Sequence, residues 1–177
     1  VIDSISCTKV ITNDYKAISE TTNNLIKSNR NQIVLVSAIN NLNVGMQRTK
    51  GYSKAMLEAK LKPVVIEANR NDIEKVLKNY VVNNSLDAVI ALDTDASFAA
   101  YKVASELKKN IPNDIAVIGY MSERIAPYLT PELSTINQHS FTIGKMAAKI
   151  LLEQLESKEN NDRTLVVDST LSQRKSS

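Results

Sequence analysis

The chain has 177 residues, of which 43% are hydrophobic and 23% charged, and its formal net charge is +3; this composition is that of a globular domain with a full core. No apolar run is long enough to cross a bilayer, no signal peptide is visible, and no basic stripe indicates that these residues contact nucleic acid. The single cysteine, Cys7, excludes a disulfide framework and a multi-cysteine zinc site, fits a reducing cytoplasm, and is expected to be a small buried side chain.

Short apolar runs alternate with amphipathic helical stretches along most of the chain, and this alternation is typical of parallel α/β domains. The segment from Val1 to Cys7 is predicted to be the end of a strand. The other predicted strands are Lys9–Thr12, Ile33–Val36, Val64–Glu67, Ala88–Leu92, Ile115–Tyr120, Ser134–Asn137 and Leu165–Val167. The predicted helices begin near Asn13, Met46, Asn71, Asp93 and Phe141. The pattern predicts a Rossmann-like parallel sheet with helices on both faces.

The stretch from Asp87 to Tyr120 is expected to form the centre of this sheet as a strand–helix–strand crossover. Ligands of such sheets bind beyond the carboxyl ends of the strands. The two strands end at Asp93-Thr94-Asp95 and at Gly119-Tyr120-Met121-Ser122. We therefore expect a binding site between these two segments.

Few residues favour catalysis. Asp93 and Asp95 could hold a metal ion or a sugar hydroxyl, although Asp95 is better explained as a helix cap. His139 is the only histidine, so neither a histidine metal site nor a Ser-His-Asp triad is predicted. The four glycines form no phosphate-binding loop. We predict no catalytic residue, no metal and no cofactor, but an α/β enzyme remains one alternative.

Arg48 opens a predicted helix directly after the strand Ile33–Val36, so it faces the same edge of the sheet as Asp93. Arginine is unfavourable at the positive end of a helix dipole. Its guanidinium group could bind a polar or anionic small molecule, or it could simply be a solvated surface side chain.

Segments in several places resemble, in family order, the effector-binding core of the LacI/GalR bacterial transcription regulators. These segments are Asn13–Tyr15, Gln32–Val36, Arg48–Tyr52, Asp87–Ala91, Ile111–Tyr120, Thr130–Gln138, Ile143–Leu152, and Arg174 with Ser176. The segment IPNDIAVIGY and the segment PELSTINQ carry most of the similarity. The resemblance covers essentially the whole chain.

The resemblance implies a type I periplasmic-binding-protein-like fold with two lobes and an effector between them. Residues 1–13 would be a remnant of the N-terminal lobe, and residues 14–138 would be the C-terminal lobe. Residues 139–158 would be a helix of the N-terminal lobe, and residues 159–177 the last strand and tail of the C-terminal lobe. The DNA-binding headpiece and most of the first lobe would precede Val1.

The resemblance also implies roles for individual residues. Arg48, Asp93 and Asp14 match effector-binding positions of the family, whereas Met121 stands where the family has an effector-binding Asp. Because Met121 offers no carboxylate to sugar hydroxyls, an ordinary neutral sugar is in doubt, and a different ligand or a protein corepressor remains open. Phe98 and Leu129 match positions in the family's dimer interface, although simple core packing would also explain them.

The expected function is that of a small-molecule sensor, for a sugar or sugar derivative, in a dimeric cytoplasmic repressor. Its partners would be the effector, a second copy of the chain, and DNA only through the headpiece; no membrane contact is expected. The alternative is an extracytoplasmic sugar-binding protein of a transporter, which has the same fold without a headpiece.

Overall fold

The computed structural model describes residues 6–39, 41–157 and 162–177, so most of the strand end predicted at Val1–Cys7 lies outside the described residues. Strands and helices alternate as the sequence predicts. The strands are β1 (Lys9–Thr12), β2 (Ile33–Ser37), β3 (Val64–Glu67), β4 (Ala88–Ala91), β5 (Ala116–Gly119), β6 (Ser134–Asn137), β7 (Thr164–Val167) and β8 (Thr170–Ser172). The helices are α1 (Asp14–Lys27), α2 (Asn43–Glu58), α3 (Ile73–Asn83), α4 (Thr94–Glu106) and α5 (Ser140–Ser157), with a 3-10 turn at Ala126–Tyr128.

The main sheet has six strands in the order β3-β2-β4-β5-β6-β8. All neighbours are parallel except β6 and β8, which are antiparallel. The register aligns Val36 of β2 with Ala91 of β4, and Ala91 with Gly119 of β5. The three central strands therefore end at one level on one edge of the sheet, which confirms the predicted parallel α/β fold.

Alternate side chains of the central strands enter two separate hydrophobic clusters, as the pleat of a strand requires. One cluster packs residues such as Ile33, Leu35 and Ile90 against α1 and α2. The other packs their neighbours, such as Val34 and Val89, against α3 and α4. Helices thus cover both faces, and the nearly continuous apolar runs of these strands follow from that double burial.

Close packing of α1 on α2 depends on Gly51. A β-carbon built at this position would lie 2.3 Å from the carbonyl oxygen of Tyr15, which belongs to the backbone and cannot rotate away. Only glycine therefore fits where the two helices meet, and this contact holds the start of α1 against the third turn of α2.

A second, smaller sheet pairs β1 with β7 in parallel, and α5 contacts β1. The strand predicted at Leu165–Val167 is present as β7, and it pairs with β1 and not with the main sheet. The tail instead contributes β8 to the main sheet, a strand that the sequence did not predict. Three residues are too few to show a strand periodicity.

The predicted burial of Cys7 is wrong. Cys7 is exposed, because it lies in an irregular segment before β1 where no element of the described residues covers it. On α3, 40% of the surface of Val76 is exposed. Ile73, Leu77 and Val81 of the same helix are buried and form its inner face.

Candidate functional site

The carboxyl ends of β2, β4 and β5 meet in one place, as predicted. The backbone N–H of Ala38, after β2, donates a 2.8 Å hydrogen bond to Oδ2 of Asp93, after β4. Asp93 and Met121, which follows β5, both line a cavity of about 750 Å³. We call it the strand-end cavity; it is also lined by residues that begin α5, Ser140 to Thr142.

Asp93 joins two elements through backbone contacts. Its Oδ1 accepts a 2.9 Å hydrogen bond from the N–H of Ala96 and so caps α4, while Oδ2 accepts from Ala38. The prediction that Asp95 is the cap is therefore wrong. Asp93 directly precedes α4 and has the extended backbone that a cap needs. Asp95 instead lies in the first turn of α4, with its Oδ2 2.7 Å from Nε of Arg70.

Arg48 and Asp14 form a buried ion pair beside the strand-end cavity. Nε of Arg48 lies 2.7 Å from Oδ1 of Asp14, and Nη1 donates a 2.7 Å hydrogen bond to the carbonyl oxygen of Leu92. Only 4% of Arg48 and 8% of Asp14 are exposed. Arg48 lines the strand-end cavity, and Asp14 lines an adjoining cavity of about 460 Å³ between β1 and the starts of α1 and α2.

The ring of Tyr120 packs against the guanidinium group of Arg48. The guanidinium carbon of Arg48 lies 3.4 Å from the centre of the Tyr120 ring, a cation–π contact in a desolvated environment. Burial raises the pKa of the Tyr120 phenol, so the hydroxyl stays protonated. Asp14, Arg48 and Tyr120 thus form one rigid unit from α1, α2 and the end of β5.

The segment after β5 forms a further wall of the strand-end cavity. Met121 is 8% exposed and belongs to the hydrophobic cluster on the α3 and α4 side. Glu123 accepts hydrogen bonds from Oγ1 of Thr135 and from Nη2 of Arg174. Burial alone would raise the pKa of the Glu123 carboxyl, but these hydrogen bonds hold it below its usual value.

The fold brings Arg48, Asp93 and Met121 to one cavity, and Asp14 to its edge. Phe98 and Leu129 lie elsewhere: Phe98 is 48% exposed on α4, and Leu129 is partly buried against the neighbouring cluster. Sequence reasoning missed several lining residues; these are Glu123, Arg124, Asn137 and Gln138. The only available signal was their position at or just beyond the ends of β5 and β6.

The part of the chain that the structure describes holds no group of three or more His, Cys, Asp or Glu side chains that could bind a metal ion. None of the helices in these residues combines the length and the apolar character that a membrane span requires.

The sheet order, the helices on both faces and the cavity at the strand ends define an α/β domain of the periplasmic-binding-protein kind. The family model described as a periplasmic binding protein-like domain matches residues 22–177. The chain belongs to this family, and its resemblance to the effector-binding core of LacI/GalR regulators is confirmed.

Among similar proteins is the ribose operon repressor of Haemophilus influenzae, 28% identical over 172 residues, which cover 94% of this chain and 52% of the repressor. The HTH-type transcriptional repressor PurR of Edwardsiella ictaluri is 30% identical over 158 residues, 86% of this chain and 46% of that protein. The chain thus spans about half the length of these relatives.

Solved structures share the fold at lower identity. A LacI family transcriptional regulator from Enterococcus faecium with bound ribose superposes with a TM-score of 0.86 at 22% identity, over 96% of this chain and 65% of that one. The transcriptional regulator CelR in complex with cellobiose gives a TM-score of 0.87 at 22% identity, over 97% of this chain and 54% of CelR.

Proposed function

We propose that this chain is the small-molecule-sensing part of a transcriptional repressor, and that the effector binds in the strand-end cavity. The observation that carries the proposal is the convergence of Arg48, Asp93 and Met121 at the carboxyl edge of one parallel sheet. That edge is where ligands bind in open α/β sheets. Membership of the periplasmic binding protein-like family supports the same assignment.

The domain division is part of this proposal. Residues 14–138, with β8 and the tail after it, form the C-terminal lobe, and they contain the whole six-stranded sheet. Residues up to 13, the helix within 139–158 and β7 belong to an N-terminal lobe. Support comes from α5, because Leu151, Leu152 and Leu155 are each more than half exposed on it. Such a face is normally covered by another part of the protein.

A homodimer is also proposed, in which Phe98 and Leu129 lie in the interface. Around them, Ile125 and Tyr128 are 45% and 86% exposed, so the surface next to α4 carries several large apolar side chains. A cytoplasmic regulator that binds DNA through a separate headpiece is consistent with the names of the relatives. A transporter's binding protein is less favoured, since the relatives described above are named as repressors.

The test uses the complete natural protein. Genomic DNA fragments that it retains are selected, and its affinity for them is measured with and without small molecules that raise its melting temperature. We expect specific DNA binding and a change of at least about fivefold in affinity with one such molecule, the range of ordinary allosteric coupling. The absence of specific DNA binding would overturn the assignment as a repressor. DNA binding that no stabilising molecule changes would overturn the assignment as a sensor.

A further inference from the structure

Three acceptor side chains around the strand-end cavity already accept hydrogen bonds within the protein. The carboxylate of Asp93 accepts from two backbone N–H groups, and that of Glu123 accepts from Thr135 and Arg174. The amide oxygen of Asn137 accepts a 2.8 Å hydrogen bond from the N–H of His139. Each of these groups therefore has fewer lone pairs left to accept hydrogen bonds from a ligand.

Two further positions offer no free carboxylate to a ligand in the cavity. Asp14 is paired with Arg48, and only a tenth of its side chain is exposed. The residue directly after Tyr120 is Met121, an apolar side chain. A neutral sugar presents several hydroxyl donors that need acceptors on the protein, and the carboxylates of this wall are already engaged.

Donors, in contrast, remain available. Arg124 lines the cavity and is exposed, and no carboxylate of the described residues lies within 4.0 Å of its guanidinium nitrogens. The first turn of α5, which lines the same cavity, presents backbone N–H groups without intrahelical acceptors.

We propose that the effector of this protein is an anion, a small molecule that carries a carboxylate or a phosphate group, and that Arg124 binds this group. The inference rests on the proposed function, since it names the chemical class of the ligand of the same cavity. Arg124 supplies the charge, and the start of α5 supplies N–H donors. Arg48 has a different role, because Asp14 already neutralises it and it positions Tyr120.

The test is calorimetry on the complete natural protein with three matched probes: ribose, ribonate and ribose 5-phosphate. We expect at least one of the two anions to bind about tenfold or more tightly than ribose. The comparison of ribonate with ribose 5-phosphate tells which anionic group the site prefers. Arg124→Gln should weaken binding of that anion by about tenfold to a hundredfold, the range for a charge-assisted hydrogen bond, and Arg124→Lys should restore part of it.

Lys109→Gln is the matched control, because Lys109 is an exposed cation beyond α4, at the opposite edge of the sheet. It removes the same charge and should change no affinity by more than about twofold. Tighter binding of ribose than of either anion would overturn the inference and leave the proposed function intact. An Arg124→Gln variant that binds the anion as well as the wild type also overturns it. Binding of none of the three probes would count against the inference, and the DNA-binding test decides the proposed function separately.

Discussion

At the scale of single residues, the ion pair with Asp14 gives Arg48 its role. Arg48 does not open its helix as predicted, because α2 begins at Asn43 and Arg48 lies in the second turn, beyond the end of the helix dipole. Asp14 and Arg48 are 34 positions apart in sequence, and their contact at 2.7 Å fixes α1 against α2 beside the cavity. Both side chains are almost fully buried. Removal of one partner therefore leaves the other charge buried without compensation, and this lowers the stability of the protein strongly.

The first prediction concerns this pair. In the complete protein, Asp14→Ala and Arg48→Met should each lower the free energy of unfolding by about 3–5 kcal/mol. The double variant should lose clearly less than the sum, because neither charge then remains buried. Urea denaturation of the four proteins measures the coupling energy.

The exposed pair of Lys16 and Glu20, 4.0 Å apart on α1, is the control for that cycle. Its alanine variants should change the free energy of unfolding by less than about 0.5 kcal/mol, as is usual for surface pairs. Strictly additive losses for Asp14 and Arg48 would mean that the two side chains do not act on each other.

Much of the strand-end cavity was predictable from sequence because it depends on strand ends in a parallel sheet. Asp93 and Met121 follow buried apolar runs, and parallel strands that run in register must end at the same edge. The ion pair that neutralises the Glu123 carboxylate in the cavity wall was not predictable. Glu123 and Arg174 are 51 residues apart, and no periodicity relates a residue of a loop to a residue of the tail.

At the scale of elements, the C-terminal tail completes the main sheet. Only two residue pairs, Ile118 with Ser134 and Gly119 with Thr135, are in register between β5 and β6. Ser176 connects β5 and β6 next to these pairs, through Val117 and Ser134. Its Oγ donates a 2.6 Å hydrogen bond to the carbonyl oxygen of Val117 and accepts a 2.7 Å bond from the N–H of Ser134, while its carbonyl oxygen accepts from the N–H of Val117.

The second prediction follows from these hydrogen bonds. Ser176→Ala should lower the free energy of unfolding by about 1–3 kcal/mol, because it leaves a buried N–H and a buried carbonyl without partners. Ser169→Ala is the matched control. The Ser169 hydroxyl is buried but has no partner among the described residues, so its removal should be neutral or slightly stabilising. Equal effects of the two changes would show that Ser176 does not bridge β5 and β6. Thermal or urea unfolding measures both.

The elements themselves divide into predictable and unpredictable ones for a physical reason. Strands buried on both faces, such as β2 and β4, are continuous apolar runs and were found from sequence. The partner of β7 could not be read from its sequence, since pairing is decided by which edge is free in the fold. β7 has exposed residues and pairs with β1, whose residues are all only partly buried.

At the scale of the whole molecule, α5 carries an exposed apolar face that we expect another part of the protein to cover. Ile150 is buried, whereas Leu151, Leu152 and Leu155 are 58–67% exposed. An exposed stripe of leucines on an 18-residue helix is unfavourable unless it is covered. The proposed N-terminal lobe would cover it.

The third prediction tests that coverage. In the complete protein, Leu155→Ser should lower the free energy of unfolding by about 2–4 kcal/mol, as for a buried leucine. Leu57→Ser on α2 is the control, because Leu57 is 63% exposed on the main lobe and its change should have an effect below about 0.5 kcal/mol. A small effect at both positions would show that α5 stays uncovered and would contradict the proposed division into lobes.

The most direct measurement for the account as a whole is a crystal structure of the complete natural protein with its effector bound. We expect the effector at the carboxyl ends of β2, β4 and β5, within contact distance of Arg48 and Met121 and between this wall and a second lobe. An effector bound at the opposite edge of the sheet, for example in the cavity beside Arg30 and Ser177, would contradict the central claim.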